Sequence, residues 1–239
     1  EKIANSLVGF GFNEILTNSI TNSAYFGEEQ LQTTVKLLNN LSSELDVLRP
    51  AMLPTALEVI AFNSNRKNTD LRFFEFGKTY STGTVGKYNE KNHLCLYVSG
   101  NVVDQSWRGK SLSADFYYLK GIVEAILATM DIQPVYDLEA KSPFMEQYTT
   151  ASINGEKVVK LGKVATAVAA KFDIKQPVYF ANFNWDVLLT AGLSQKVQFR
   201  EIPKFPAVER DLAMVVPKTL TYNTVQKAIA KPRLNKLQD

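Results

Sequence analysis

Few side chains in this 239-residue sequence belong to types that commonly do chemistry in clusters. His93 is the only histidine and Cys95 the only cysteine, so a histidine-based metal cluster or a histidine-activated nucleophile has no second member. The chain has no Gly-x-Gly-x-x-Gly run, no Gly-x-x-x-x-Gly-Lys-Ser/Thr phosphate loop and no Cys-x-x-Cys pair. Both residues lie in a predicted apolar strand, residues 93–99, so we predict structural roles for them.

Glu75 is the acidic residue that most needs an explanation, because it stands in an otherwise apolar strand predicted over residues 71–80. A buried carboxylate without a partner is costly, so we expect Glu75 to pair with a cation, either Arg49 or Arg66. Arg72 precedes Glu75 on the same strand, and a surface or interface salt bridge is its expected role. These expectations favour a structural role for the strand over a catalytic one.

The stretch from Leu48 to Gly83 has the order of a ligase active-site segment. A Leu-Arg-Pro turn leads into an amphipathic helix over residues 50–63 and then into the strand over residues 71–80. This order resembles motif 2 of class II aminoacyl-tRNA synthetases, whose strand ends in an aromatic residue followed by Arg-x-Glu. There the arginine binds the α-phosphate of ATP. In that alignment Ser81 occupies the arginine position and Gly83 the glutamate position, so the chain is predicted to lack this chemistry.

Six short pieces extend the resemblance to one family, the β subunit of bacterial phenylalanyl-tRNA synthetase. They are residues 9–14, 48–54, 63–68, 74–77, 115–121 and 205–213. The resemblance implies a heterotetramer of two α and two β subunits that attaches phenylalanine to its tRNA, with ATP and magnesium used by the catalytic α subunit. It places a further ATP-binding motif over residues 160–183, which contain no arginine. No cofactor is therefore expected in this segment.

The predicted fold class is α+β, with a class II synthetase-like antiparallel sheet flanked by helices over residues 1–202. An opening helix ends near Gly9, strands are expected at residues 13–20, 35–38 and 177–187, and residues 81–92 are expected to form a polar loop. Asp115 is predicted to cap a helix, and Asn154-Gly155 predicts a type I′ hairpin turn.

A second, truncated domain is predicted over residues 203–239, after the boundary marked by Pro203 and Pro206. A strand at residues 210–216 and a helix at residues 222–230 resemble the start of the ferredoxin-like anticodon-binding domain of the family. The resemblance implies tRNA contact by the basic residues of this tail, which are Lys227, Lys231, Arg233 and Lys236.

The opening helix is predicted to meet another chain, because the family builds a helical bundle between its subunits in this region. Ile3, Leu7 and Val8 are the apolar residues assigned to this contact, with the catalytic α subunit or a second copy of the chain as the partner. Left in water, each would forgo about 1.5–3 kcal/mol of burial free energy.

Charge and composition narrow the remaining function classes. The formal charge of +3 is too small to indicate nucleic-acid binding by itself, and one cysteine is typical of a reducing cytoplasm. No apolar run approaches the roughly 20 residues of a membrane span. Because residue 1 is glutamate, the chain is expected to be a piece of a longer protein. Two alternatives stay open: a free-standing regulatory paralogue of a class II synthetase, and an ATP-dependent ligase with an unrecognised catalytic set.

Overall fold

A seven-stranded sheet organises the chain in the computed structural model, which describes residues 1–40, 42–84, 86–139, 142–194, 201, 204–206 and 208–231. Its strands, in sheet order, are β1 (Asn13–Glu14), β4 (Leu71–Thr84), β5 (Lys87–Ser99), β11 (Val178–Asn184), β10 (Glu156–Val164), β9 (Met145–Ile153) and β8 (Val135–Glu139). All neighbours are antiparallel except β1 and β4. This confirms the predicted α+β class with a mostly antiparallel sheet.

Two small antiparallel ribbons accompany the sheet. One joins β2 (Ile20–Thr21) to β3 (Val47–Leu48), and the other joins β6 (Asn101–Val103) to β7 (Leu112–Ser113). The helices are α1 (Lys2–Gly9), α2 (Glu28–Leu31), α3 (Leu53–Ser64), α4 (Phe116–Ala128), α5 (Thr166–Ala170), α6 (Trp185–Ser194) and α7 (Tyr222–Ala230), with a 3-10 turn over Ser23–Tyr25.

Helices cover both faces of the sheet, because successive residues of each strand point to opposite sides. On one face, Phe74 of β4 joins a core with residues of α1, α4 and α6, whereas on the other face Phe73 joins a core with residues of α3 and α5. Leu57 of α3 and Leu119 of α4 are both fully buried. The sheet is therefore the middle layer between two apolar interfaces.

Several local predictions are confirmed. Asp115 caps α4 by accepting a hydrogen bond of 2.7 Å from the Tyr118 amide. Asn154 and Gly155 have φ values of 51° and 86° and join β9 to β10, as a type I′ turn requires. Helix α3 lies within one residue of the predicted C-terminal end, with Pro54 in its first turn, where a missing amide hydrogen costs little.

Other predictions are wrong. Residues 81–92 form a continuous hairpin between β4 and β5 instead of a polar loop, and the expected strand at residues 35–38 is reduced to one bridge between Lys36 and Val47. Trp185 begins helix α6 instead of lying in a strand. In the hairpin both faces of β5 are exposed as far as Lys91, so the sequence carries no apolar alternation there.

The chain divides into two compact units, Glu1–Lys196 and Val197–Asp239. In the second unit, α7 has the predicted bounds and Thr221 is its N-cap. The strand predicted at residues 210–216 is wrong, because these residues form no helix or strand. A strand is stabilised by hydrogen bonds to a neighbour, and none of the described strands pairs with this segment. The assignment of the tail to a ferredoxin-like domain stays a prediction.

Candidate functional site

A buried ion pair lies at the centre of the motif 2-like segment. Arg49 Nη1 lies 3.1 Å from Glu75 Oε1, and the two side chains are 2% and 0% exposed. Thr17 completes the cluster: its amide donates to Glu75 Oε1 at 3.1 Å, and its hydroxyl oxygen accepts from Arg49 Nη1 at 2.6 Å. Arg49 Nε also donates to the Lys78 carbonyl at 2.9 Å. Every group of the pair that faces the interior is thus hydrogen-bonded, which is what allows a charge pair to be buried.

The prediction that Glu75 pairs with an arginine is therefore confirmed for Arg49. Arg66, the other candidate, lies over the Phe62 ring at 3.4 Å and donates to the Phe62 carbonyl at 3.0 Å, within and just beyond its own helix. Thr17 was not predicted, because nothing in its sequence neighbourhood marks it as a partner of a residue 58 positions away.

Gly77 makes room for this cluster. A Cβ atom at Gly77 would lie 2.3 Å from Met52 Cε and 2.4 Å from Arg49 Nη2. The glycine of the Phe-Glu-Phe-Gly segment therefore lets the guanidinium of Arg49 and the side chain of Met52 cross the strand two residues beyond Glu75. The motif residues 48–54 and 74–77 thus serve one packing arrangement.

A second polar chain lies on the same face of the sheet. His93 Nδ1 lies 2.8 Å from Asn182 Oδ1, and His93 Nε2 lies 2.8 Å from the Thr79 hydroxyl. The amide oxygen accepts from Nδ1–H, so the hydroxyl donates to Nε2 of a neutral imidazole. Cys95 Sγ lies 3.7 Å from the same amide oxygen, and burial raises the pKa of its thiol. His93 and Cys95 have the structural environments that the sequence predicted.

Burial lowers the pKa of His93 below 6.5, against the opposing effect of its hydrogen bond to Asn182. Because the unfolded chain then binds a proton more readily than the folded chain, the contribution of His93 to stability is complete above pH 6.5 and is lost as the pH falls through the folded pKa. We expect urea-unfolding free energies to decline on acidification from pH 7.5 toward pH 5. Replacing His93 by glutamine should make this decline shallower, whereas an unchanged slope would contradict the assignment.

Side chains of the sheet and of α3 fill the same face beyond the polar groups. Tyr97 and Phe180 stack with ring centroids 5.3 Å apart, and the Tyr97 hydroxyl lies 3.5 Å from the Met52 carbonyl. Met52, Tyr97, Phe73 and Phe180 are all buried. The interior of this face is thus an apolar core around two polar clusters.

Ser81 and Gly83 lie farther along β4, in the projecting hairpin. Ser81 is paired with Asn89 and, by strand alternation from Glu75 and Gly77, faces the same side of the sheet. Gly83 is exposed, and a Cβ atom there would meet no atom within 4 Å. Neither residue supplies a cation or a carboxylate. The arginine that this face does contain, Arg49, is held by Glu75.

The other predicted site residues lie elsewhere. Ile3 and Leu7 are buried in the core beneath α1, so their assignment to a subunit contact is corrected, since a helix that packs on its own sheet turns its larger apolar residues inward. Val8 is exposed, and its contact role stays a prediction. Lys227 and Lys231 are exposed in the second unit, and Arg233 and Lys236 lie outside the described residues.

Metal and membrane features are limited to what the described residues allow. In that part of the chain, no three His, Cys, Asp or Glu side chains are grouped so that they could hold a metal ion. The same residues include no helix with the length and apolar character needed to cross a bilayer.

The fold defines the chain as a class II aminoacyl-tRNA synthetase-like domain. Two solved structures of pyrrolysyl-tRNA synthetase from Desulfitobacterium hafniense superpose with TM-scores of 0.60 and 0.63, at 17% and 18% identity. Each comparison covers 79% of this chain, and 64% and 66% of the respective solved chain. At this identity the likeness concerns the fold.

The sequence identifies the family within this class. Residues 1–185 match the phenylalanyl tRNA synthetase beta chain CLM domain. The phenylalanine–tRNA ligase beta subunits of Bacteroides fragilis, Bacteroides thetaiotaomicron and Porphyromonas gingivalis are 39%, 38% and 32% identical over 94% of this chain. The chain belongs to this phenylalanyl-tRNA synthetase beta chain family. It spans 29% of the length of these relatives.

Proposed function

We propose that this chain is a non-catalytic architectural segment of a phenylalanine–tRNA ligase β subunit. It supports a catalytic α subunit and contributes to binding the phenylalanine tRNA. The ligase is a cytoplasmic heterotetramer of two α and two β subunits, and its ATP and magnesium are used by α. The names of the relatives and the family match support the identity of the subunit, and the geometry of the sheet face supports the non-catalytic role.

The observation that carries the proposal is the Arg49–Glu75 pair. An adenylate-forming site needs a cation that is free to meet the α-phosphate of ATP and to stabilise charge in the transition state. On the face shared with Ser81, Arg49 is 2% exposed and bonded to Glu75, Thr17 and Lys78. Met52 and Tyr97 fill adjacent space. These residues do not fit an ATP phosphate, and we therefore derive no reaction step on this chain.

Phenylalanine-dependent exchange of pyrophosphate into ATP tests the proposal. The purified chain, made free of host α subunit, is expected to show no exchange above background. The matched variant carries Ser81→Arg and Gly83→Glu, which restores both side-chain types of motif 2. We expect this variant to stay inactive too, because the restored residues do not release Arg49 from Glu75 or empty the face.

The result that would overturn the non-catalytic role is exchange above background by the unmodified chain. Saturable ATP binding without exchange, followed by isothermal titration calorimetry, would favour the ATP-dependent ligase or the regulatory paralogue. Co-purification with a catalytic α subunit, in a complex that supports tRNA aminoacylation, is the result expected for the architectural role.

A further inference from the structure

The ribbon formed by β6 and β7 projects from a firmly attached base. Gly100 precedes it at φ 79°, where an added Cβ atom would lie 2.3 Å from the Thr69 carbonyl oxygen, so the chain passes close to the neighbouring backbone. The Asn101 amide donates to Asp70 Oδ1 at 2.7 Å, and the Ala114 amide donates to the Gly100 carbonyl at 2.8 Å. Val102 packs against the core of the sheet. The ribbon is therefore held in a defined position.

The outer side of this ribbon is apolar and unburied. Val103 and Leu112 are cross-strand partners, yet they are 50% and 58% exposed. At the tip, Ser106 and Gly109 exchange backbone hydrogen bonds of 3.0 and 3.3 Å, and they present Trp107, which is 88% exposed. We call Val103, Trp107, Arg108, Lys110 and Leu112 the ribbon patch.

The charge on the ribbon patch is positive. The Arg108 guanidinium lies 4.7 Å from the Trp107 ring centre, and Lys110 follows two residues later. Within the described part of the chain, neither cation forms a salt bridge. Asp104 is the one acidic residue among residues 101–113. The local formal charge is therefore +1, from two cations and one carboxylate.

This combination is typical of a protein–protein contact. Tryptophan and arginine dominate the binding energy of many interfaces, and an exposed pair of aliphatic residues beside them offers no hydrogen bonds to a nucleotide. A nucleic-acid site would instead need a broader cluster of cations around the aromatic residue. The partner surface that fits has an apolar or aromatic pocket with carboxylates at its rim.

We infer that the ribbon patch docks on the catalytic α subunit, with Trp107 inserted into an apolar pocket and Arg108 and Lys110 facing acidic residues. The inference rests on the proposed function, which supplies the α subunit as partner. It adds a contact made by a ribbon on the far side of β5 from the motif 2-like strand, which no part of the sequence prediction assigned.

Trp107 provides its own reporter, because the chain has two tryptophans and the other, Trp185, packs against Phe76 at 5.0 Å. The chain with Trp185→Phe, labelled with 5-hydroxytryptophan, can be excited selectively in the presence of tryptophan in α. On adding purified α, we expect the emission to move to shorter wavelength and iodide quenching to fall. Leu112→Asp should weaken the complex about tenfold or more.

Leu38→Asp is the matched control, because Leu38 is an exposed leucine outside the ribbon patch. It should leave the affinity for α unchanged. The double variant Arg108→Gln and Lys110→Gln should reduce the dependence of the affinity on salt concentration.

Each other outcome overturns the inference in a distinguishable way. If α binds while the emission is unchanged and Leu112→Asp behaves like Leu38→Asp, the ribbon contact is wrong and the proposed function stands. If α does not bind at all, both fail. A change in emission caused by tRNA in place of α would make the patch an RNA contact. A shifted emission in a full-length β subunit before α is added would assign the patch to the rest of that subunit.

Discussion

Replacing Arg49 by methionine is expected to lower the free energy of unfolding by about 3–5 kcal/mol, because it leaves the Glu75 carboxylate buried without its cation. The Lys78 carbonyl loses a hydrogen bond in the same variant. Equilibrium urea unfolding followed by circular dichroism measures the change. The effect is a large share of the 5–15 kcal/mol that stabilises an ordinary domain.

The exposed pair Lys78–Glu90 is the control for this experiment. Its nitrogen and oxygen lie 2.7 Å apart, but the side chains are 48% and 53% exposed, so Lys78→Met should change the free energy by about 0–1 kcal/mol. A double variant, Arg49→Met with Glu75→Leu, should lose less stability than the sum of the two single variants, because no buried charge remains. Equal losses at Arg49 and Lys78 would contradict a buried pair.

Replacing Gly77 by alanine is expected to destabilise the chain by about 1–3 kcal/mol, the range typical of an overpacked core. The added methyl group would meet Met52 Cε at 2.3 Å and Arg49 Nη2 at 2.4 Å. The end of the methionine can move, but the guanidinium is fixed by its bonds to Glu75, Thr17 and the Lys78 carbonyl. Thermal and urea unfolding should both report the loss.

Gly83→Ala is the matched substitution on the same strand. A Cβ atom at Gly83 meets nothing within 4 Å, and its φ lies outside the positive region. This variant should therefore keep its stability or gain up to about 1 kcal/mol from the reduced freedom of the unfolded chain. If both alanine variants behaved alike, the close packing of Arg49 over Gly77 would be wrong.

The sequence was sufficient for features that local chemistry controls. Asp115 caps α4 and Asn154-Gly155 turns a hairpin because each needs groups no more than a few residues apart. The need of Glu75 for a cation was also visible, since a carboxylate in an apolar strand is unstable alone. The order of these elements placed the chain in the α+β class, and six motifs placed it in its family.

The tertiary structure alone decided which partners meet. It selected Arg49 over Arg66 and brought in Thr17, because contacts between distant residues depend on how α3 and β4 cross. It turned Ile3 inward, since the sheet offered apolar surface that the helix sequence does not reveal. Residues 81–92 were predicted as a loop because both faces of that hairpin are polar, and only the register between β4 and β5 makes it a pair of strands. Hydrogen bonding between strands and burial between layers are properties of the folded chain, and a single sequence specifies them only through the whole fold.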